Sequence, residues 1–117
     1  MKVFDGHNDV LSKLRNSGGV KAAHSFQNET GNHIDQAKAE RGGLAGGFFA
    51  LWVASTGGGD YEEQMRQEHY DVPLPPEVSQ EKALQVVLEQ TAILLQLQQL
   101  GAVQLCLLYT SPSPRDS

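Results

Sequence analysis

Lys2-Val3-Phe4-Asp5-Gly6-His7-Asn8-Asp9 opens the chain as a short apolar strand signal that runs directly into a histidine and a carboxylate two residues apart. Residues two apart on a strand project to the same side, so His7 and Asp9 converge if extended geometry persists through Asn8. A neutral imidazole with a carboxylate is a mixed donor set, better suited to zinc, manganese or iron than to calcium or magnesium. The same residues also read more plainly, as a polar strand end in which Asp9 caps the helix that follows. Spacing alone leaves both readings standing.

Outward from this stretch the chain alternates between helical and extended signals. Val10, Leu11 and Leu14 predict a brief helix that ends near Asn16-Ser17-Gly18-Gly19. Val20 to Asn32 is polar without a sustained period and reads as a loop, with a short strand possible only at residues 20–23. His24 and His33 fall in or beside this loop, where a lone histidine is solvated rather than ligating. His33-Ile34-Asp35 repeats the His-x-Asp spacing, but Asp35 stands just before Gln36-Ala37-Lys38-Ala39-Glu40-Arg41, a compact run of helix formers. Asp35 is therefore read as an N-cap, and Gly42 or Gly43 as a left-handed C-cap.

Leu44 to Ala54 is an almost unbroken apolar run, as expected of a strand buried on both faces of a parallel sheet. The glycines at 42, 43, 46 and 47 do not read as a phosphate turn, because here a helix ends and a strand begins. Ser55 to Pro76 carries Gly57-Gly58-Gly59, Pro73, Pro75 and Pro76 and reads as a long exposed excursion that could act as a lid. Its Asp60, Glu62, Glu63, Glu68, His69 and Asp71 could be assembled on paper into a metal cluster, but a charged loop is more simply solvated. From Glu77 the chain turns helical, with Ser79 as N-cap, a broad apolar face from Ala83 to Leu100, and Gly101 as terminator. Ala102 to Leu108 then reads as another strand, which makes a strand, helix, strand unit with a right-handed parallel crossover.

With 117 residues the chain is one small domain at most, long enough for a real core. A net charge of −5 without basic clusters argues against a nucleic-acid partner. Met1-Lys2 is followed at once by Asp5, His7 and Asp9, so neither a secretory signal nor a membrane span is expected. The single cysteine, Cys106, makes no internal disulfide and fits a reducing, cytoplasmic compartment. Asn28-Glu29-Thr30 is formally a glycosylation sequon and reads as surface loop.

Two blocks carry a family resemblance. Asp5-Gly6-His7-Asn8-Asp9-Val10-Leu11 resembles the opening Asp-Gly-His-Asn-Asp-Leu strand end of the membrane dipeptidase (renal dipeptidase) family of metallopeptidases. The segment Ile34 to Val53, with Asp35, Gly42-Gly43 and Phe48, is similar to that family's Asp-Leu-x-Arg-Leu-x-x-Gly-Gly-Val-x-x-Gln-Phe-x-Ser-x-Tyr block. The pair also separates the chain from the wider amidohydrolases, whose first strand usually ends in His-x-His. The last dozen residues, Cys106 to Ser117, resemble a translated sequencing-adapter or vector scar, with a Pro/Ser-rich linker as the alternative.

The resemblance implies a TIM-type (β/α)8 barrel, which takes roughly 250 residues. Residues 1–105 would then be the N-terminal part of a dipeptidase barrel domain, and 106–117 a non-native tail. It implies zinc as cofactor, two ions bridged by a glutamate from a later strand, with a dipeptide as substrate. Of the family's ligands only His7 and Asp9 have counterparts here, both on one ion, so the fragment alone is expected to be inactive. Asp5 precedes the pair and either orients it or serves as a structural group at the strand end, and Trp52 matches an aromatic residue, usually Tyr, that lines the substrate pocket, although core packing explains it equally well. Leu11, Ser12 and Lys13 depart from the family's Pro and aromatic after the motif, which leaves substrate selectivity open. Two alternatives remain: a non-catalytic helix-sheet domain that docks a partner, and a related metal-dependent hydrolase acting on another amide or a lactone.

Overall fold

Val3–Asn8 forms strand β1 and Leu44–Phe49 strand β2, and the two pair in parallel as a two-stranded sheet. The computed structural model describes residues 1–28, 32–55 and 61–106. Phe4 faces Gly46, Asp5 faces Gly47 and Asn8 faces Phe49, with irregular register between Val3 and Phe4 and between Asp5 and Asn8. Because the strands are parallel, both chains leave the sheet at the same end. The Ala50 amide closes that end by donating to the Asn8 carbonyl at 3.0 Å.

Helix α1, Val10–Asn16, buries Val10, Leu11 and Leu14 along one face. Gly18 and Gly19, with φ of 138° and 73°, turn the chain into a 3₁₀ helix over Gly19–Gln27 that buries Ala23 and Phe26. The polar stretch from Val20 is thus helical, neither loop nor strand. Ala23 and Phe26 stand three apart, and that is the spacing at which a 3₁₀ helix stacks its side chains.

Helix α2, Gln36–Gly42, begins as the sequence predicts: Asp35 Oδ1 accepts the Lys38 amide at 2.8 Å. It ends at Gly43 in the left-handed conformation, φ 75°. A short helix α3, Tyr61–Met65, interrupts the long excursion, and α4, Gln80–Gln99, is capped by Ser79 Oγ, which accepts the Lys82 amide at 3.2 Å.

The core lies among the helices rather than under the sheet. Val10, Leu11 and Leu14 of α1, Ala23 and Phe26 of the 3₁₀ helix, and Ile93 and Leu97 of α4 form one buried cluster. The sheet itself is mostly open. Phe4 and Phe48 stack edge to face with ring centroids 5.2 Å apart, yet both remain more than half exposed. The expectation of a strand covered on both faces therefore fails for β2. It also stops earlier than the apolar run suggests, because beyond Ala50 the backbone donors turn from the ladder towards α4.

The strand expected over residues 102–108 is absent as far as Cys106. The Ala102 amide donates to the Leu97 carbonyl and the Leu105 amide to Gln98 Oε1, so this segment is held by the end of α4 and not by a neighbouring strand. Residues 107–117, and with them most of the tail read as a scar, lie outside the described residues, as do the sequon's Glu29 and Thr30. Among the described residues no helix is long and apolar enough to cross a membrane.

Candidate functional site

The exit from β1 is organised by short-range polar contacts. Asp5 accepts the His7 amide at 3.5 Å through Oδ1 and the Asn8 carboxamide at 3.0 Å through Oδ2. Asn8 is buried, and its Oδ1 accepts the Val10 amide at 3.3 Å, which starts α1. Asn8 thus takes the capping role that the sequence assigns to Asp9. The Asp9 backbone sits at φ −112°, ψ 30°, and its side chain makes no cap hydrogen bond.

Freed from capping, the Asp9 carboxylate turns to His7: Nε2 and Oδ1 are 3.2 Å apart, and both side chains are more than half exposed. The convergence expected from i, i+2 spacing is therefore present, although Asp9 stands just past the strand. Two donors held about 2.0–2.1 Å from a tetrahedral ion sit about 3.3 Å from each other. The His7–Asp9 contact is a direct side-chain hydrogen bond whose length is close to that ligand spacing, and both groups face solvent. Among the described residues no group of three or more His, Cys, Asp or Glu stands together, so the pair supplies a partial donor set. His24 and His33 are both exposed and belong to no donor group with it, and Asp35 is buried as the α2 cap. Asp60 lies outside the described residues.

Trp52 follows β2 by three residues and so lies at the same end of the sheet as His7 and Asp9, with its side chain 55% exposed. Its backbone is gripped by a residue that the sequence shows only as one position on an apolar helix face. Gln90 of α4 accepts the Trp52 amide at 2.7 Å and donates to the Trp52 carbonyl at 2.8 Å. A buried-side glutamine in the stripe Val86, Gln90, Ile93, Leu97 is the one signal that could have revealed it.

No family model matches the sequence. Two solved structures resemble the chain, each with a TM-score of 0.70 and 35% identity over 86% of the chain. One is the dipeptidase AC, a metallopeptidase of family M19, of which the chain covers 28%. The other is a metallopeptidase from Rhodobacter sphaeroides liganded with a phosphinate mimic of the dipeptide L-Ala-D-Ala, of which it covers 30%. An uncharacterized protein in the PQQ-III 3′ region of Acinetobacter calcoaceticus is 31% identical over 98 residues, which is 83% of this chain and 30% of that one. The fold and these likenesses make the chain an α/β unit that resembles part of a metallopeptidase. Over 86% of its length the chain is similar to M19 family metallopeptidases, and it spans under a third of the length of the relatives it matches.

Proposed function

We propose that this chain is the N-terminal strand and helix portion of a metal-dependent dipeptidase with a TIM-type barrel, in which His7 and Asp9 bind one zinc ion and Trp52 lines the dipeptide pocket. The observation that carries the proposal is the 3.2 Å approach of His7 Nε2 to Asp9 Oδ1 at the C-terminal end of β1, the end at which barrel enzymes build their active sites. The likeness to a metallopeptidase that holds a dipeptide mimic supports a dipeptide as substrate.

Zinc held there would supply a Lewis acid able to activate water and polarise a scissile carbonyl. His7 and Asp9 contribute an imidazole and a carboxylate to it, and Asp5 and Asn8 fix the backbone that aims them. Catalytic zinc sites take three protein ligands, so residues 1–105 must be joined by ligands from elsewhere in the complete enzyme, and this chain alone is inactive. The exposed Leu84, Leu88 and Leu95 of α4 favour a second reading, a helix-sheet module that docks a partner without catalysis.

Joining residues 1–105 to the remaining sequence of the Rhodobacter sphaeroides metallopeptidase tests the proposal. The fusion should bind zinc and hydrolyse L-Ala-D-Ala, and His7→Ala or Asp9→Ala should lower kcat/KM by at least about 100-fold while leaving the far-UV circular dichroism unchanged. Full turnover in either variant would reduce the motif to a strand end and leave the docking module.

A further inference from the structure

We infer that Gln90 is the positioning residue of the candidate substrate pocket: its carboxamide fixes the segment that carries Trp52 and ties it to the helix that begins at the metal-ligand pair. The functional part of this inference rests on the dipeptidase reading, whereas the structural part does not.

Gln90 is 1% exposed on the buried face of α4, between Val86 and Ile93. Its side chain meets both polar groups of one residue, since Oε1 accepts the Trp52 amide at 2.7 Å and Nε2 donates to the Trp52 carbonyl at 2.8 Å. This paired exchange is the pattern by which two residues face each other in an antiparallel ladder. Gln90 therefore stands in for a strand where β2 has ended. The second Nε2 hydrogen goes to Ser12 Oγ at 3.2 Å, so both donors and one acceptor lone pair are used. Turning the amide over would set donor against donor and acceptor against acceptor, so the network fixes its orientation.

The placement is what gives the contact its meaning. Ala50 is tied to Asn8, next to His7 and Asp9, and two residues later Trp52 is tied to α4. Ser12 lies on α1, which starts one residue after Asp9. The same carboxamide thus links the aromatic wall to the element that follows the metal-ligand pair, across 38 residues on one side and 78 on the other. A glutamine kept at this depth among Val86, Ile93 and Leu97 is costly unless such partners are met. The three hydrogen bonds meet them.

Trp52 is the sole tryptophan of the chain, so its fluorescence reads the segment directly. In the full chain, Gln90→Leu should keep the helical circular dichroism, lower the anisotropy of Trp52 and raise its quenching by acrylamide. Gln90→Glu, which retains an acceptor for the Trp52 amide but faces its carbonyl with a carboxylate, should fall between the two. Ser12→Ala, which leaves both Trp52 bonds in place, should leave Trp52 unchanged. Unaltered anisotropy and quenching in Gln90→Leu would overturn the inference. If Gln90→Leu loses helix, Gln90→Glu decides on the same two readouts.

In the fusion enzyme, Gln90→Leu should raise KM for L-Ala-D-Ala by about 10-fold with kcat and zinc content held. A fall in zinc content and kcat at unchanged KM would overturn the positioning role even where the fluorescence changes. A fusion without any activity would count against the dipeptidase reading alone, because the Trp52 measurements stand apart from it.

Discussion

Asn8 and Phe49 face each other on the last rung of the parallel pair, and the Asn8 carbonyl also takes the amide of Ala50. This single rung brings the His7–Asp9 pair and the Trp52 segment to one end of the molecule. The Asn8 side chain is as important as its backbone, since it joins Asp5 to the first turn of α1. Asn8→Leu should destabilise the chain by about 1–3 kcal/mol, because it strands the Val10 amide and one Asp5 oxygen. Asn8→Asp should recover the Val10 contact but set two carboxylates against each other. A urea titration of the three proteins reads the order, and equal midpoints would remove Asn8 from its organising role.

The two glycines that end α2 should respond oppositely to the same substitution. Gly43 has φ 75°, and a Cβ there would lie 2.7 Å from the Met1 carbonyl oxygen. Gly43→Ala should therefore cost at least about 1–2 kcal/mol from the left-handed conformation alone. Gly42 is helical, and a methyl group added to its Cα would meet nothing within 4 Å, so Gly42→Ala should stabilise by about 0.4–1 kcal/mol. Thermal midpoints that move the same way would contradict the assignment of the turn.

Depth within the helical core sets a further ladder of effects. Ile93 is fully buried in the shared cluster of α1, the 3₁₀ helix and α4, and Ile93→Ala should cost about 2–5 kcal/mol. Ser79 is exposed and contributes one cap bond, so Ser79→Ala should cost about 0.5–2 kcal/mol, towards the lower end. Guanidinium unfolding followed by circular dichroism checks the ranking.

Self-association should follow from the open apolar faces. Phe4 and Phe48 line the exposed sheet, whose two strands leave edges without a partner among the described residues, and Leu84, Leu88 and Leu95 project from α4. Such edges and patches promote pairing with other chains. Light scattering should show concentration-dependent assembly of the chain, reduced in Phe48→Thr and in Leu88→Glu with helix content retained. A monomer at all concentrations, with a sharp cooperative melt, would refute this.

Local chemistry is the legible part of the sequence. Asp35, Ser79 and Gly43 cap their helices as their positions predict, because a cap is decided within three or four residues. His7 and Asp9 meet for the same reason. The 3₁₀ helix escapes a reading by pattern because its buried apolar residues, Ala23 and Phe26, are too few to display a period. Spacing points to Asp9 for the cap that Asn8 makes, since either side chain can supply the acceptor and only the backbone chooses between them. Gln90 is hidden by distance: its partners Ser12 and Trp52 come from separate parts of the chain, and nothing in the helix itself names them.

The contact between Arg15 and Glu89 joins α1 to α4 across 74 residues, as Gln90 and Ser12 do nearby. During synthesis at about 5–20 residues per second, roughly 4–15 s pass between the emergence of the two ends of that contact. Throughout this interval Leu11 and Leu14 wait without the leucine and isoleucine that later cover them. A seven-residue helix is not stable alone, so α1 takes its final form only once α4 has been made, and the order of synthesis puts the core's completion at the end of this segment.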